Sequence, residues 1–246
     1  MRLRIEKSGP FSKVAVSPAG DRVASGDGSD LCVWEFATGK RVYSILAHQD
    51  GITCLAYSSD GSYIASGAMD GSVKVGDASS GEEACSLEGH TAMVTGAAFD
   101  PDGPRLVTTS NDQTARVWDF ERGNEITTLR GHDRFVRSVA FSPDGRWFAT
   151  GGGGYVDSTI IIWDGSSYQE VKRLMGHQHG INSLAWDANG HYLISGSYDQ
   201  TVKRWDVSKP KEPLTWKAHE EGRVCGLDFS PDGRRIAVRR PVCVAT

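Results

Sequence analysis

One motif recurs along this 246-residue chain at near-constant spacing, and it restricts the fold more than any other feature. Its clearest copy runs from Gly176 to Asp206, opening with Gly-His and closing with Trp-Asp. Between these marks lie an apolar alternation (Ile181, Leu184, Trp186), an Asn189-Gly190 turn, a second apolar run (Tyr192, Leu193, Ile194) and a third around Val202. The copies can be phased on the glycine of the first turn, at Gly20, Gly61, Gly103, Gly145, Gly190 and Gly233, with intervals of 41, 42, 42, 45 and 43 residues. From the opening histidine to that glycine is 13 residues for His48, His90, His132 and His177, and 14 for His219. Each copy reads as four short strands. In the third they are Val94 to Phe99, Arg105 to Thr109, Thr114 to Trp118 and Glu125 to Leu129, rich in β-branched and aromatic residues and separated by turn residues. No stretch sustains a helical period, so an all-β chain is expected. A single four-stranded sheet cannot bury both of its faces, so successive copies must stack on one another.

A repeat with a period in the forties, marked by Gly-His and Trp-Asp, resembles the WD-repeat (beta-transducin-like) β-propeller family, and the resemblance covers nearly the whole chain. It implies one propeller domain over 1–246, of about six four-stranded blades with the last incomplete, in repeats of roughly 8–46, 47–88, 89–130, 131–175, 176–217 and 218–246. In this family N- and C-terminal strands share one blade, which gives residues 2–7 the role of a closing strand and hides the sheet edges. A fragment of a seven-bladed ring is the alternative.

Four residue types recur within the repeats: the histidine, a Ser/Thr in the second strand, an Asp in the next turn and the Trp. The sets are His90, Thr108, Asp112 and Trp118; His132, Thr150, Asp157 and Trp163; and His177, Ser195, Asp199 and Trp205. They resemble the hydrogen-bonded tetrad that, in the family, ties the loop before the first strand to the third strand. The chemistry suits that role. A buried carboxylate needs donors, an imidazole N–H supplies one, and a hydroxyl links the ring to the indole N–H. A catalytic Ser/His/Asp triad uses the same residue types but occurs once, whereas this set recurs with an indole attached.

Three repeats depart from the pattern. In the first, Ser25 and Trp34 are 9 apart rather than 10, Lys7 stands where His belongs and Glu35 replaces the final Asp, leaving Asp27 or Asp30 as a substitute. In the second, His48, Ser66 and Asp70 are in place, but Gly76-Asp77 stands where Trp-Asp belongs, 28 residues after His48 just as Trp118 is 28 after His90. A glycine there leaves a hole and one missing donor, so Gly76→Trp is expected to raise the melting temperature. The fourth carries a three-residue insertion in Gly151-Gly152-Gly153-Gly154-Tyr155-Val156-Asp157, expected to be a mobile loop.

Composition narrows the function classes. Hydrophobic residues make up 39% and charged residues 24%, within the globular range, and the net charge of −4 argues against direct nucleic-acid binding. No run approaches the roughly 18 apolar residues of a membrane helix, and the opening MRLRIEKSGPF has no apolar signal core. The five cysteines (Cys32, Cys54, Cys85, Cys225, Cys243) form no CxxC pair and read as small buried residues of a reducing, intracellular compartment, cytoplasmic or nuclear. Neither ligand-spaced Cys/His clusters nor a calcium-loop signature is present, so no metal and no cofactor are expected.

Connections between antiparallel strands alternate between two edges of a sheet, so the loop before the first strand and the loop between the second and third share an edge. There the sequence places Met69, Met93, Asn111, Arg134, Phe135, Tyr155, His179 and Tyr198, residue types that anchor interfaces. Arg134-Phe135 is the sharpest pair, since the sheet's own core does not need it. The expected function is therefore that of a non-catalytic scaffold, a monomeric propeller within a larger complex that presents this face and its channel mouth to peptides or proteins. An adaptor subunit of RNA-processing or chromatin machinery is an alternative. An enzyme with its site in the central channel is a third reading, without a set of acids or metal ligands that the tetrads do not already use.

Overall fold

The computed structural model describes residues 13–154, 157–209, 212–218, 222–230 and 235–239. Within them the chain forms strands and turns and no helix. It divides into two compact units, Met1–Leu129 and Arg130–Thr246.

The first unit holds three antiparallel sheets, each in sequence order. The first consists of β1 (Lys13–Val16), β2 (Arg22–Asp27), β3 (Asp30–Glu35) and β4 (Arg41–Leu46). The second consists of β5 (Ile52–Tyr57), β6 (Tyr63–Ala68), β7 (Val73–Asp77) and β8 (Glu83–Leu87). The third consists of β9 (Val94–Phe99), β10 (Arg105–Ser110), β11 (Ala115–Asp119) and β12 (Asn124–Leu129). The second unit holds β13 (Val136–Phe141), β14 (Trp147–Gly152), β15 (Ile160–Asp164) and β16 (Glu170–Leu174) in its first sheet. Its second sheet is β17 (Ile181–Trp186), β18 (Tyr192–Ser197), β19 (Thr201–Asp206) and β20 (Leu214–Lys217), and its third is the pair β21 (Gly226–Phe229) and β22 (Ile236–Arg239). The sequence repeats thus map one to a sheet. The expected closing strand at 2–7, His219 and Tyr155 lie outside the described residues.

Turn chemistry fixes each first hairpin. Gly61 N donates to Ser58 O at 3.0 Å and Gly190 N to Asp187 O at 3.0 Å, with φ of 76° and 67°, a backbone conformation that glycine adopts without steric cost. The side chain that opens the turn then caps the next strand: Tyr63 N donates to Ser58 Oγ at 2.9 Å, Trp147 N to Ser142 Oγ at 2.9 Å and Tyr192 N to Asp187 Oδ1 at 2.7 Å.

The core lies between successive sheets of a unit. Val73, Val75, Leu87, Val94, Phe99 and Leu106 join the second and third sheets of the first unit. Ile160, Ile162, Ile181, Leu184 and Leu193 do the same in the second unit. Each fully buried isoleucine or leucine contributes about 1.5–3 kcal/mol by leaving water. In the four-stranded sheets the second strand is buried almost throughout, and the fourth is largely exposed or half-buried.

Close approach of the sheets explains glycines that follow the second-strand hydroxyl. A Cβ on Gly67 would lie 2.5 Å from Val94 Cγ1, one on Gly151 2.8 Å from Ile181 Cβ, and one on Gly196 2.4 Å from Val224 Cγ1. This revises the expectation of a mobile glycine loop. Gly151 and Gly152 belong to β14 and are buried, the first against Ser138 and Ile181 and the second against the Asp157 carboxylate. Bulk is excluded there because neighbouring atoms already fill the space.

Candidate protein-binding face

The three expected tetrads form. His90 Nδ1 lies 2.8 Å from Asp112 Oδ2, its Nε2 2.8 Å from Thr108 Oγ1, and Trp118 Nε1 donates to the same hydroxyl at 2.8 Å. In the second unit His132 reaches Asp157 (3.0 Å) and Thr150 (2.8 Å), and Trp163 donates to Thr150 at 2.8 Å. His177 reaches Asp199 and Ser195, both at 2.7 Å, and Trp205 donates to Ser195 at 2.8 Å. In each case the carboxylate also accepts the amide that follows the histidine: Thr91 at 3.1 Å, Asp133 at 3.2 Å and Gln178 at 3.0 Å.

The electrostatics fix the proton positions. Burial pushes the His90 imidazole below its usual value against the pull of Asp112, so the ring is neutral at pH 7. Burial alone would raise Asp199, but hydrogen bonds from His177, Thr201 and the Gln178 amide outweigh it and hold the carboxyl well below the usual range. In the His90 set the neutral ring therefore donates Nδ1–H to Asp112, Nε2 accepts the Thr108 hydroxyl proton, and the hydroxyl oxygen accepts the Trp118 indole N–H. Thr108, Thr150 and Ser195 are 0% exposed, with both hydrogen-bonding capacities engaged. Each hydroxyl thereby joins the imidazole to the indole of its own sheet.

The first two repeats vary the theme. Trp34 Nε1 donates to Ser25 Oγ at 2.8 Å despite the shorter spacing, while the place of Lys7 lies outside the described residues. In the second repeat His48 Nε2 lies 2.7 Å from Ser66 Oγ, but Nδ1 turns to Ser72 Oγ at 2.6 Å, and Ser72 relays to Asp70 Oδ1 at 2.5 Å. The carboxylate is thus one hydroxyl removed from the ring.

The loops that carry His and Asp also carry the expected contact residues. In the second unit, backbone hydrogen bonds link these loops in series: Gly153 N to Phe135 O (2.6 Å), Gly180 N to Gly154 O (2.7 Å), Tyr198 N to Gly180 O (3.1 Å) and Val224 N to Ser197 O (3.0 Å). Arg134 and Phe135 are exposed, Phe135 by 42%. Half-buried His179 offers its carbonyl to Ser197 Oγ at 2.8 Å. Half-buried Tyr198 is the centre of the group. The Arg137 guanidinium stands 5.4 Å from its ring centroid and that of Arg223 5.0 Å. Arg137 Nε also donates to Asn182 Oδ1 at 2.9 Å, and Asn182 Nδ2 to Val224 O at 2.9 Å.

Arg137, Asn182 and Arg223 were not singled out in the sequence. The available signal was positional, since the second residue of the first strand is Thr53 and Thr95 in the earlier sheets and a long cation at 137. In the first unit the expected residues make a separate group. Met69 is 53% exposed with its amide on Gly51 O (3.0 Å), and Asn111 N donates to the carbonyl of half-buried Met93 at 2.9 Å. The two loops touch, since a Cβ on Gly71 would lie 3.0 Å from His90 O.

Comparison with known proteins agrees with this geometry. The family model described as WD domain, G-beta repeat matches residues 39–77, 81–119, 123–164, 168–206 and 210–238. The chain belongs to the WD-repeat family, and its fold is that of the WD-repeat β-propellers. Among solved structures, a chain in a crystal structure of a mitotic checkpoint complex superposes with a TM-score of 0.87 at 24% identity, covering 96% of this chain and 73% of that one. Curated relatives match over short stretches. Periodic tryptophan protein 2 homolog of Schizosaccharomyces pombe is 33% identical over 72 residues, 28% of this chain and 8% of the relative. Protein ROOT INITIATION DEFECTIVE 3 of Arabidopsis thaliana is 42% identical over 53 residues, 22% of this chain and 12% of the relative. U3 small nucleolar RNA-associated protein 15 homolog of Homo sapiens is 33% identical over 79 residues, 32% of this chain and 15% of the relative. This chain therefore spans a small part of each.

Proposed function

We propose that this protein is a non-catalytic interaction module whose second unit binds a peptide or protein segment through Arg134, Phe135, Arg137, Tyr198 and Arg223. The observation that carries the reading is the Arg137–Tyr198–Arg223 stack. An aromatic ring with two guanidinium groups within 5.4 Å of its centroid is already ordered, so little side-chain entropy remains to be lost on binding. Aromatic and arginine side chains supply most of the energy at protein interfaces. His179 extends the same reading within the second unit, and Met69, Met93 and Asn111 make a second candidate contact group within the first; Tyr155 is proposed from the sequence alone. Catalysis finds no support in the tetrads, whose hydroxyls are sealed.

The test is affinity purification from native extract with wild type beside Arg134→Ala/Phe135→Ala/Tyr198→Ala. Partners that co-purify with wild type should vanish with the triple variant while its circular dichroism spectrum is unchanged. An identical partner set with the folded triple variant overturns the assignment of the face.

A second reading, an adaptor subunit of RNA-processing machinery, is favoured by the name of one relative, a U3 small nucleolar RNA-associated protein. With a net charge of −4, contact with RNA would run through protein partners. Salt-sensitive retention of purified protein on RNA would contradict that indirect route.

A further inference from the structure

Arginines gather on the face of the second unit without an acid to meet them. Arg137 and Arg223 share the Tyr198 ring, their guanidinium carbons 5.4 and 5.0 Å from its centroid. Arg134 is exposed in the loop that leads into β13. None of these arginines makes an ion pair among the described residues. The carboxylates of the same loops are engaged elsewhere. Asp157 and Asp199 are bonded to His132 and His177 inside the tetrads, and Asp133 lies close enough to Arg173 of β16 to favour its charged form. Glu220 and Glu221 lie outside the described residues. A chain with a net charge of −4 thus carries a local surplus of positive charge here.

Asn182 sets the direction of these cations. Its Oδ1 accepts Arg137 Nε–H at 2.9 Å, and its Nδ2 donates at 2.9 Å to Val224 O, the carbonyl next to Arg223. Val224 is fully buried and its amide donates to Ser197 O at 3.0 Å, so the backbone beside Arg223 is fixed. With Nε engaged, the free end of the Arg137 fork is its pair of Nη groups, which have no acceptor among the described residues. That pair presents N–H bonds at the spacing of the two oxygens of a carboxylate. Exposed Phe135 stands beside it, since a Cβ on Gly153 would lie 3.2 Å from both Arg137 Cβ and Phe135 O.

Taking this face as the binding surface proposed above, on which the assignment rests, we infer that its partner is an acidic peptide segment, with the carboxylate of an Asp or Glu side chain on Arg137 and Arg223 and a flanking apolar residue on Phe135. Two guanidinium charges held near one ring repel each other, and a bound carboxylate relieves that repulsion. A neutral or basic segment gains no such relief.

Fluorescence anisotropy of the whole protein with labelled heptapeptide pools tests the class of partner. The pools share mixed flanking residues and differ in a fixed central glutamate, glutamine, lysine or phosphoserine. The glutamate pool should bind about tenfold more tightly than the glutamine and lysine pools, the factor expected of charge-assisted hydrogen bonds, and rising salt should narrow the gap. Arg137→Met and Arg223→Met, which keep apolar length beside Tyr198, should each weaken the glutamate pool about tenfold and leave the glutamine pool unchanged. Arg223→Met lies in a loop and carries the test alone if Arg137→Met does not fold. Equal binding of the glutamate and glutamine pools, both lost in Arg134→Ala/Phe135→Ala/Tyr198→Ala, overturns the acidic partner and leaves the face standing. Glutamate-pool binding that persists in that triple variant overturns the face as well. Tighter binding of phosphoserine than of glutamate, or displacement of the glutamate pool by a short single-stranded RNA at lower concentration than by unlabelled peptide, overturns the carboxylate as the group recognised. Binding of no pool at millimolar concentration overturns the acidic peptide outright.

Discussion

The hydroxyl at the centre of each tetrad gives a prediction whose size follows from counting its bonds. Thr108→Val keeps the shape of the side chain and removes the oxygen. Two buried polar groups then lose their partner, His90 Nε2 and Trp118 Nε1, each previously bonded at 2.8 Å. A buried group left unsatisfied costs about 1–3 kcal/mol, so Thr108→Val should destabilise the first unit by about 2–5 kcal/mol. In the same unit Ser66→Ala removes an oxygen bonded to one group among the described residues, His48 Nε2 at 2.7 Å, because Gly76 brings no indole. Its cost should be about 1–3 kcal/mol, near half. Urea unfolding of both variants, followed by tryptophan fluorescence and by far-ultraviolet circular dichroism, measures the difference. Coincident transitions by the two probes license the free energies. Equal losses for the two substitutions, or a Thr108→Val loss below about 0.5 kcal/mol, would refute the view that the hydroxyl is a two-bond hinge.

Two further outcomes follow from the same structure. Asp112, Asp157 and Asp199 are all held below their usual values, so their contribution is present above about pH 4 and is lost as pH falls through the folded values, while His90, lowered by burial, adds a milder loss beginning below about pH 6.5 as the unfolded ring takes up a proton. Urea midpoints measured from pH 8 to pH 3 should show this two-stage decline, and Asp112→Asn should lose part of the acid limb; a flat profile would contradict it. Gly196→Ala drives a methyl to within 2.4 Å of Val224 Cγ1 and 2.7 Å of Leu227 Cδ2, and should cost about 1–3 kcal/mol in the second unit, a neutral result in the same urea assay showing that the sheets can part.

Much of the fold was legible because the marks that define it sit close together in the chain. His90, Thr108, Asp112 and Trp118 fall within one repeat, and the same offsets recur at His177 to Trp205, so spacing alone identified them. The fourth repeat was equally readable, since its insertion shifts Trp163 without disturbing the His132–Asp157 contact. The Arg137–Tyr198–Arg223 stack was hidden for the opposite reason. Its members belong to three different repeats, and at the position of Arg137 the other repeats carry Thr53, Thr95, Asn182 and Cys225. The role of Gly67, Gly151 and Gly196 was also hidden, because a glycine in a strand reads as slack until its neighbour in the next sheet is known. The detour of His48 through Ser72 depends on a shift of a single side chain, which no spacing records.

The closure of each tetrad inside its own repeat has a consequence for how the chain acquires its structure. His90 meets Trp118 and His177 meets Trp205 within 28 residues, so nothing distant has to arrive before a sheet is pinned. Contacts this local close quickly and with little loss of chain freedom. During synthesis a repeat can lock soon after its tryptophan clears the ribosome, ahead of its successors. The second repeat is one exception, since Gly76 gives it no such latch and its core is completed by Val94, Phe99 and Leu106 of the third. The order in which the sheets become protected therefore need not follow the order in which they are made.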